Sequence, residues 1–162
     1  MNIKRLSTVM LVLMLLSSLI HLPAMANEKP VVKRAEMPTL SGGKQVIPIP
    51  GKRTILHFWT TWCPSCKMEL PIFQQMTKEK TEEVEIITVN LLSAEQSKSA
   101  VSQFIKDRKF TFPIVLDERG ELMKTFQIIT IPTTFLINEK GEVEKNHVGP
   151  LTKKQIKEWA AS

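Results

Sequence analysis

Two thiols, Cys63 and Cys66, are the only cysteines in this 162-residue chain. They stand in the segment Trp59-Thr60-Thr61-Trp62-Cys63-Pro64-Ser65-Cys66, straight after an apolar run from Ile55 to Trp59. At this spacing they can close one small disulfide and reopen it, which is chemistry for moving electron pairs between thiols. The attacking species is the thiolate, so the acidity of Cys63 governs its use. If a strand ends at Trp59 and a helix begins at Pro64, Cys63 sits where the helix dipole and unpaired N–H groups favour negative charge. Pro64 has no N–H, which leaves Ser65 and Cys66 as the nearest backbone donors. Cys66, one turn inside, can then resolve a mixed disulfide formed at Cys63.

Three other readings of the same pair stay open at this point. Structural zinc takes four ligands, and only His57 and His147 could join the two cysteines after the first 26 residues; that second pair lacks the usual close spacing. Copper(I) favours thiolates, so Cys63 and Cys66 with His147 could instead form a copper-carrying site. A purely structural disulfide would close so small a loop that it adds little stability.

The elements that must position the cysteines follow from residue pattern. Met37 to Pro50 reads as a hairpin turning at Ser41-Gly42-Gly43-Lys44. Thr54 to Trp59 is a β-branched and aromatic strand, and Pro64 to about Lys80 is a helix that Pro71 should kink. Val84 to Leu91 predicts a buried strand, Ser97 to Arg108 an amphipathic helix, Phe112 to Leu116 a third strand, and Gly120 to Phe126 a short helical turn. Thr133 to Ile137 and Val143 to Val148 flank the hairpin signal Asn138-Glu139-Lys140-Gly141. A last helix over Thr152 to Trp159 has Thr152 as N-cap. Early strands with crossover helices and a late hairpin imply an α/β sheet covered on both faces.

Length suits one domain and the hydrophobic fraction of 43% suits a packed core. Residues 1–26 have a basic start at Lys4 and Arg5, an apolar run from Val9, and Ala24 and Ala26 at a small-x-small site. This is the layout of a signal peptide, with an uncleaved membrane anchor as the alternative. Either places the domain outside the cytoplasm. Residues 27–34 read as a tether and 35–162 as the domain. The formal charge is +6, or +4 once Lys4 and Arg5 are set aside, and it is mixed along the chain. No basic stripe is interleaved with aromatics, so nucleic acid is not an expected partner.

Phe58 to Cys66 resembles the active-site segment of thioredoxin-fold oxidoreductases, and Ile131-Pro132-Thr133-Thr134-Phe135 resembles the cis-proline segment of that fold. The leader, the first hairpin, Cys66-Lys67-Met68-Glu69 and the long connection from Leu91 to Phe104 narrow the resemblance to the extracytoplasmic TlpA/ResA group. Within it the chain is similar to the sporulation oxidoreductases of spore-forming bacilli, through Thr54 to Trp59, Phe112 to Asp117 and Ile128 to Thr133. The resemblance implies a thioredoxin fold, a central mixed sheet flanked by helices, with an N-terminal β-hairpin extension. It implies Cys63 as nucleophile, Cys66 as resolving thiol, and a cis Pro132 facing them. Ile131 backbone, Pro132, Pro64 and Trp62 would meet the substrate. Glu69 matches an acidic residue that affects the titration of the cysteines; the other reading is a solvated helix glutamate. His57 stands where thioredoxins carry a buried aspartate, and is either a proton acceptor or a hydrogen-bonded core histidine.

The resemblance further implies a monomer that reduces disulfides in exported proteins, such as a protein of spore-cortex peptidoglycan synthesis. Electrons would come from a membrane thiol carrier of the CcdA type, with no cofactor besides the Cys63–Cys66 couple and no metal. Pro64-Ser65 departs from the acidic-proline pair typical of ResA, which weakens the alternative role in cytochrome c maturation. An oxidising enzyme is the remaining alternative, since direction depends on potential.

Overall fold

The computed structural model describes residues 29–79 and 84–161. The expected leader, residues 1–26, lies outside the described residues. Among the described ones, no helix is long and apolar enough to cross a membrane.

The first two strands, β1 (Ala35–Pro38) and β2 (Lys44–Ile47), pair antiparallel as a separate two-stranded sheet. The main sheet is built from β3 (Arg53–Trp59), β4 (Val84–Asn90), β5 (Ile114–Leu116), β6 (Thr133–Ile137) and β7 (Val143–Val148), in the order β5-β4-β3-β6-β7. β3 runs parallel to β4, and β4 to β5, while β6 and β7 are antiparallel. Among the described residues the α-helices are α1 (Pro64–Glu79), α2 (Lys98–Arg108), α3 (Glu121–Thr125) and α4 (Lys153–Ala161). This is the thioredoxin-like mixed sheet with a hairpin ahead of it.

The period-2 alternation of β3 distributes its side chains between two layers. Leu56 and Phe58 join Met37 and Ile47 of the hairpin and Leu122 and Phe126 around α3. Ile55 packs with Phe73 and Met76 of α1 and Ile156 of α4, and Trp59 with both cysteines, Leu70, Val101 and Ile105. By the same alternation His57 belongs to the α1 side, and its ring stacks on Phe73 with centroids 4.1 Å apart.

Sequence and structure differ mainly at element ends. Strand β5 starts at Ile114 rather than Phe112, because Pro113 offers no N–H and contributes only its carbonyl, which accepts from the Thr88 N–H at 3.1 Å. Thr152 does cap α4, accepting from the Gln155 N–H at 3.3 Å while the Gln155 Oε1 accepts from the Thr152 N–H at 2.9 Å, a reciprocal capping box. Residues 27–34, expected as a tether, are docked in part. The Val32 N–H donates to the Gly141 carbonyl at 2.8 Å and the Val143 N–H to that of Pro30 at 3.0 Å. Gly141 serves this contact twice: its φ is +87°, and a Cβ there would stand 3.4 Å from the Val32 carbonyl oxygen.

α1 is held to α4 at its far end. Glu79 meets Lys153 at 3.3 Å and Lys157 at 3.1 Å. Pro71 lies within α1, so the Lys67 carbonyl loses its usual donor without ending the helix.

Candidate active site

The cysteines form a disulfide, Cys63–Cys66, at the junction of β3 and α1. Cys66 is fully buried and Cys63 nearly so. The Cys66 backbone N–H points at the Cys63 sulfur, 3.1 Å away, and the Ser65 hydroxyl lies 3.4 Å from it. These are the helix N-terminal donors that would stabilise a thiolate at Cys63 once the bond is opened. On the other side, the Ile131 carbonyl oxygen is 3.9 Å from the Cys63 sulfur, and the Ile131–Pro132 bond is cis. Pro132 is buried and Ile131 half-buried, while Pro64 is exposed at the helix start. Trp62 is 57% exposed, and its indole N–H donates to the Ala94 carbonyl at 2.9 Å.

Glu69 is not a solvated helix residue. It is 1% exposed, one helical turn after Cys66, and its Oε1 accepts from the Leu151 N–H at 2.8 Å. Its Oε2 lies 3.9 Å from Nε2 of His57, and neither atom has a hydrogen-bond partner among the described residues. Burial pushes the Glu69 carboxyl up to about 7, against the opposing pull of the Leu151 N–H. Burial drives His57 down to about 3. Near neutral pH the imidazole is thus uncharged, and the short approach is not an ion pair. His57 Nδ1 sits 3.0 Å from the Thr134 hydroxyl. If Nδ1 carries the hydrogen, Nε2 faces Glu69 as a free acceptor, complementary to a protonated Oε2. His57 is thus a hydrogen-bonded core residue that faces the Glu69 carboxyl.

The site includes residues the sequence did not single out. The Glu95 carboxylate accepts from the Thr61 N–H, the Thr61 hydroxyl and the Asn90 side-chain amide, at 2.6, 2.6 and 2.8 Å. Asn90 carried a usable signal, being polar at the end of a buried and mostly apolar strand. Thr134 and the Leu151 N–H carried none, since they meet their partners only through the fold. His147 faces Thr134 in the β6–β7 register, and no three His, Cys, Asp or Glu side chains among the described residues converge as metal ligands.

The redoxin family model matches residues 43–161. Sporulation thiol-disulfide oxidoreductase A of Bacillus subtilis is 51% identical over 159 residues, 96% of each chain. The crystal structure of that protein, StoA, superposes with a TM-score of 0.76 at 54% identity, covering 80% of this chain and 97% of that one. Thiol-disulfide oxidoreductase ResA of B. subtilis is 39% identical over 110 residues, 67% of this chain and 60% of its own. The exposed lipoprotein thioredoxin Etrx1 of Streptococcus pneumoniae superposes with a TM-score of 0.74 at 26% identity, covering 80% of this chain and 98% of that one. With its helix-capped disulfide beside a cis-proline loop, the chain belongs to the redoxin family and is a thioredoxin-fold thiol–disulfide oxidoreductase.

Proposed function

We propose that this enzyme works outside the cytoplasm as a reductant of disulfides in particular exported proteins, in the building of the endospore cortex. The observation that carries this reading is the 51% identity to a sporulation oxidoreductase over 96% of both chains. The signal-like leader and the likeness to an exposed lipoprotein support the location. The Cys63–Cys66 couple is the only redox group the cycle needs. A monomer suffices, because both thiols and the cis-proline loop come from one chain.

In the proposed cycle the Cys63 thiolate attacks one sulfur of a substrate disulfide. A mixed disulfide forms and the first substrate thiolate leaves. Cys66 gives up its proton, attacks Cys63, and expels the second substrate thiolate. One substrate disulfide becomes two thiols and two enzyme thiols become one disulfide, with two electrons and two protons transferred. Glu69, one turn along α1 and titrating near neutrality, is the acceptor for the Cys66 proton, and His57 stabilises its protonated form. Ile131 and Pro132 offer the substrate strand a backbone edge, and Trp62 an apolar face. A membrane thiol carrier of the CcdA type would return the electrons.

Equilibration with a thiol redox buffer gives the potential of the couple. A value as low as about −270 mV fits a dedicated reductant, and one near −120 mV would mean that the protein makes disulfides. Expression in B. subtilis lacking its own sporulation oxidoreductase A tests the biological role. Restored formation of heat-resistant spores, lost again on Cys63→Ser, is the expected result. A low potential with no restoration would leave the reductant standing and remove the cortex.

A further inference from the structure

The segment ahead of the nucleophile is held from one side by a short bracket. A single 3₁₀ turn, Leu92–Ala94, follows β4, and Glu95 ends it. The Glu95 carboxylate takes the backbone N–H and the hydroxyl of Thr61, both at 2.6 Å, and its back is fixed by the Asn90 amide at 2.8 Å. The neighbouring Ala94 carbonyl takes the Trp62 indole N–H at 2.9 Å. Thr61 and Trp62 are the two residues immediately before Cys63. Trp62 is 57% exposed, although a large aromatic at the surface would ordinarily be free to change rotamer. Here the bond to Ala94 holds the indole of the residue next to a nearly buried sulfur, and its apolar face is left open. Pre-ordering an aromatic contact surface removes the cost of ordering it during association.

We propose that Glu95 is a positioning residue for substrate docking: with the Ala94 carbonyl it fixes Thr61 and Trp62, so that a protein disulfide meets a preformed face beside Cys63. The substrate class this face suits is a folded or partly folded protein that carries an apolar side chain next to its disulfide. A small disulfide needs only the sulfur. Glu95 therefore acts on recognition of the substrate, and the exchange step is left to the cysteines.

The charge of Glu95 and the bracket it makes can be separated. In Glu95→Gln the amide oxygen still accepts from the Thr61 N–H and from Asn90. Its NH₂ donates to the Thr61 hydroxyl, which turns its own hydrogen away. In Glu95→Ala all three bonds are lost. Reduced enzyme is assayed against insulin as the protein disulfide and against 5,5′-dithiobis(2-nitrobenzoate) as the small one. Glu95→Ala is expected to raise KM for insulin about tenfold, with much less change in kcat or in the rate with the small disulfide, because misplacing a positioning contact is costly only where that contact is used. Glu95→Gln is expected to restore the parental KM to within about twofold. An unchanged KM in Glu95→Ala overturns the proposal. So does an equal loss with both disulfides, which would place Glu95 in the exchange chemistry, or a Glu95→Gln enzyme as impaired as the alanine variant. Should Glu95→Ala not fold, Thr61→Val removes only the hydroxyl bond. A KM for insulin raised about threefold supports the bracket, and an unmoved KM rejects it.

Discussion

Two glutamates flank the disulfide, and they differ in how many donors reach them. Glu95 is half-buried, and three donors share its two oxygens. Glu69 is sealed in the core with one donor on Oε1 and none on Oε2. A carboxylate satisfied on both oxygens ties neighbouring segments together. A carboxyl starved of donors in a dry site holds its proton to a higher pH, and so becomes a group that can exchange one. The fold makes both from the same side chain by choosing what surrounds it.

The strongest test of that contrast is the pH dependence of stability in Glu69→Gln. The folded-state value of Glu69, about 7, exceeds its ordinary 4.5. The native state therefore binds the extra proton between those limits, and the parent loses stability as pH rises through them. The glutamine variant does not. Urea titrations at low and high pH should show the variant gaining on the parent by about 3 kcal/mol across this window. A constant difference would mean that Glu69 does not titrate there. The variant also isolates His57, whose folded value of about 3 lies below 6.5, so its stability should fall as pH drops from 6.5 toward 3.

Removing the other glutamate should act through lost bonds. Glu95→Ala is expected to lower stability by about 2 kcal/mol in the same titration, and Glu95→Gln by less than about 1. Equal losses would erase the distinction. A smaller effect is expected one contact further out: Thr134→Val leaves His57 Nδ1 without its hydroxyl and should lower stability by about 1 kcal/mol. The smallest belongs to a third carboxylate, Glu79, at the exposed end of α1. Lys157→Ala there should leave the thermal midpoint unmoved at about 0.5 M salt, because exposed pairs are screened.

Much of this site was legible in the sequence because it is local. Cys63 and Cys66 lie within one turn, Pro64 starts the helix, and Asn138 to Gly141 mark a turn by residue type alone. The proline segment and Glu69 were legible through resemblance. What remained hidden depends on long-range closure. The partners of His57 are Thr134 and Glu69, 77 and 12 positions away, and Glu69 finds its donor 82 positions on. No periodicity reports such pairings, because they exist only once β6 and the segment leading into α4 have come to rest on β3 and α1. Strand ends were misjudged where a proline sits at the edge of an apolar run, as at Pro113. The β propensity of Phe112 is no help when its neighbour cannot join the ladder.

The bond from the Leu151 amide to Glu69 has a spectroscopic consequence. A backbone N–H bound to a buried carboxylate exchanges its hydrogen with solvent only when the structure opens, and its chemical shift follows the charge on its acceptor. Leu151 lies outside both the CxxC loop and the cis-proline loop. Isotope labelling at this single amide would therefore read the proton on Glu69 during turnover, from a position that no substrate has to touch.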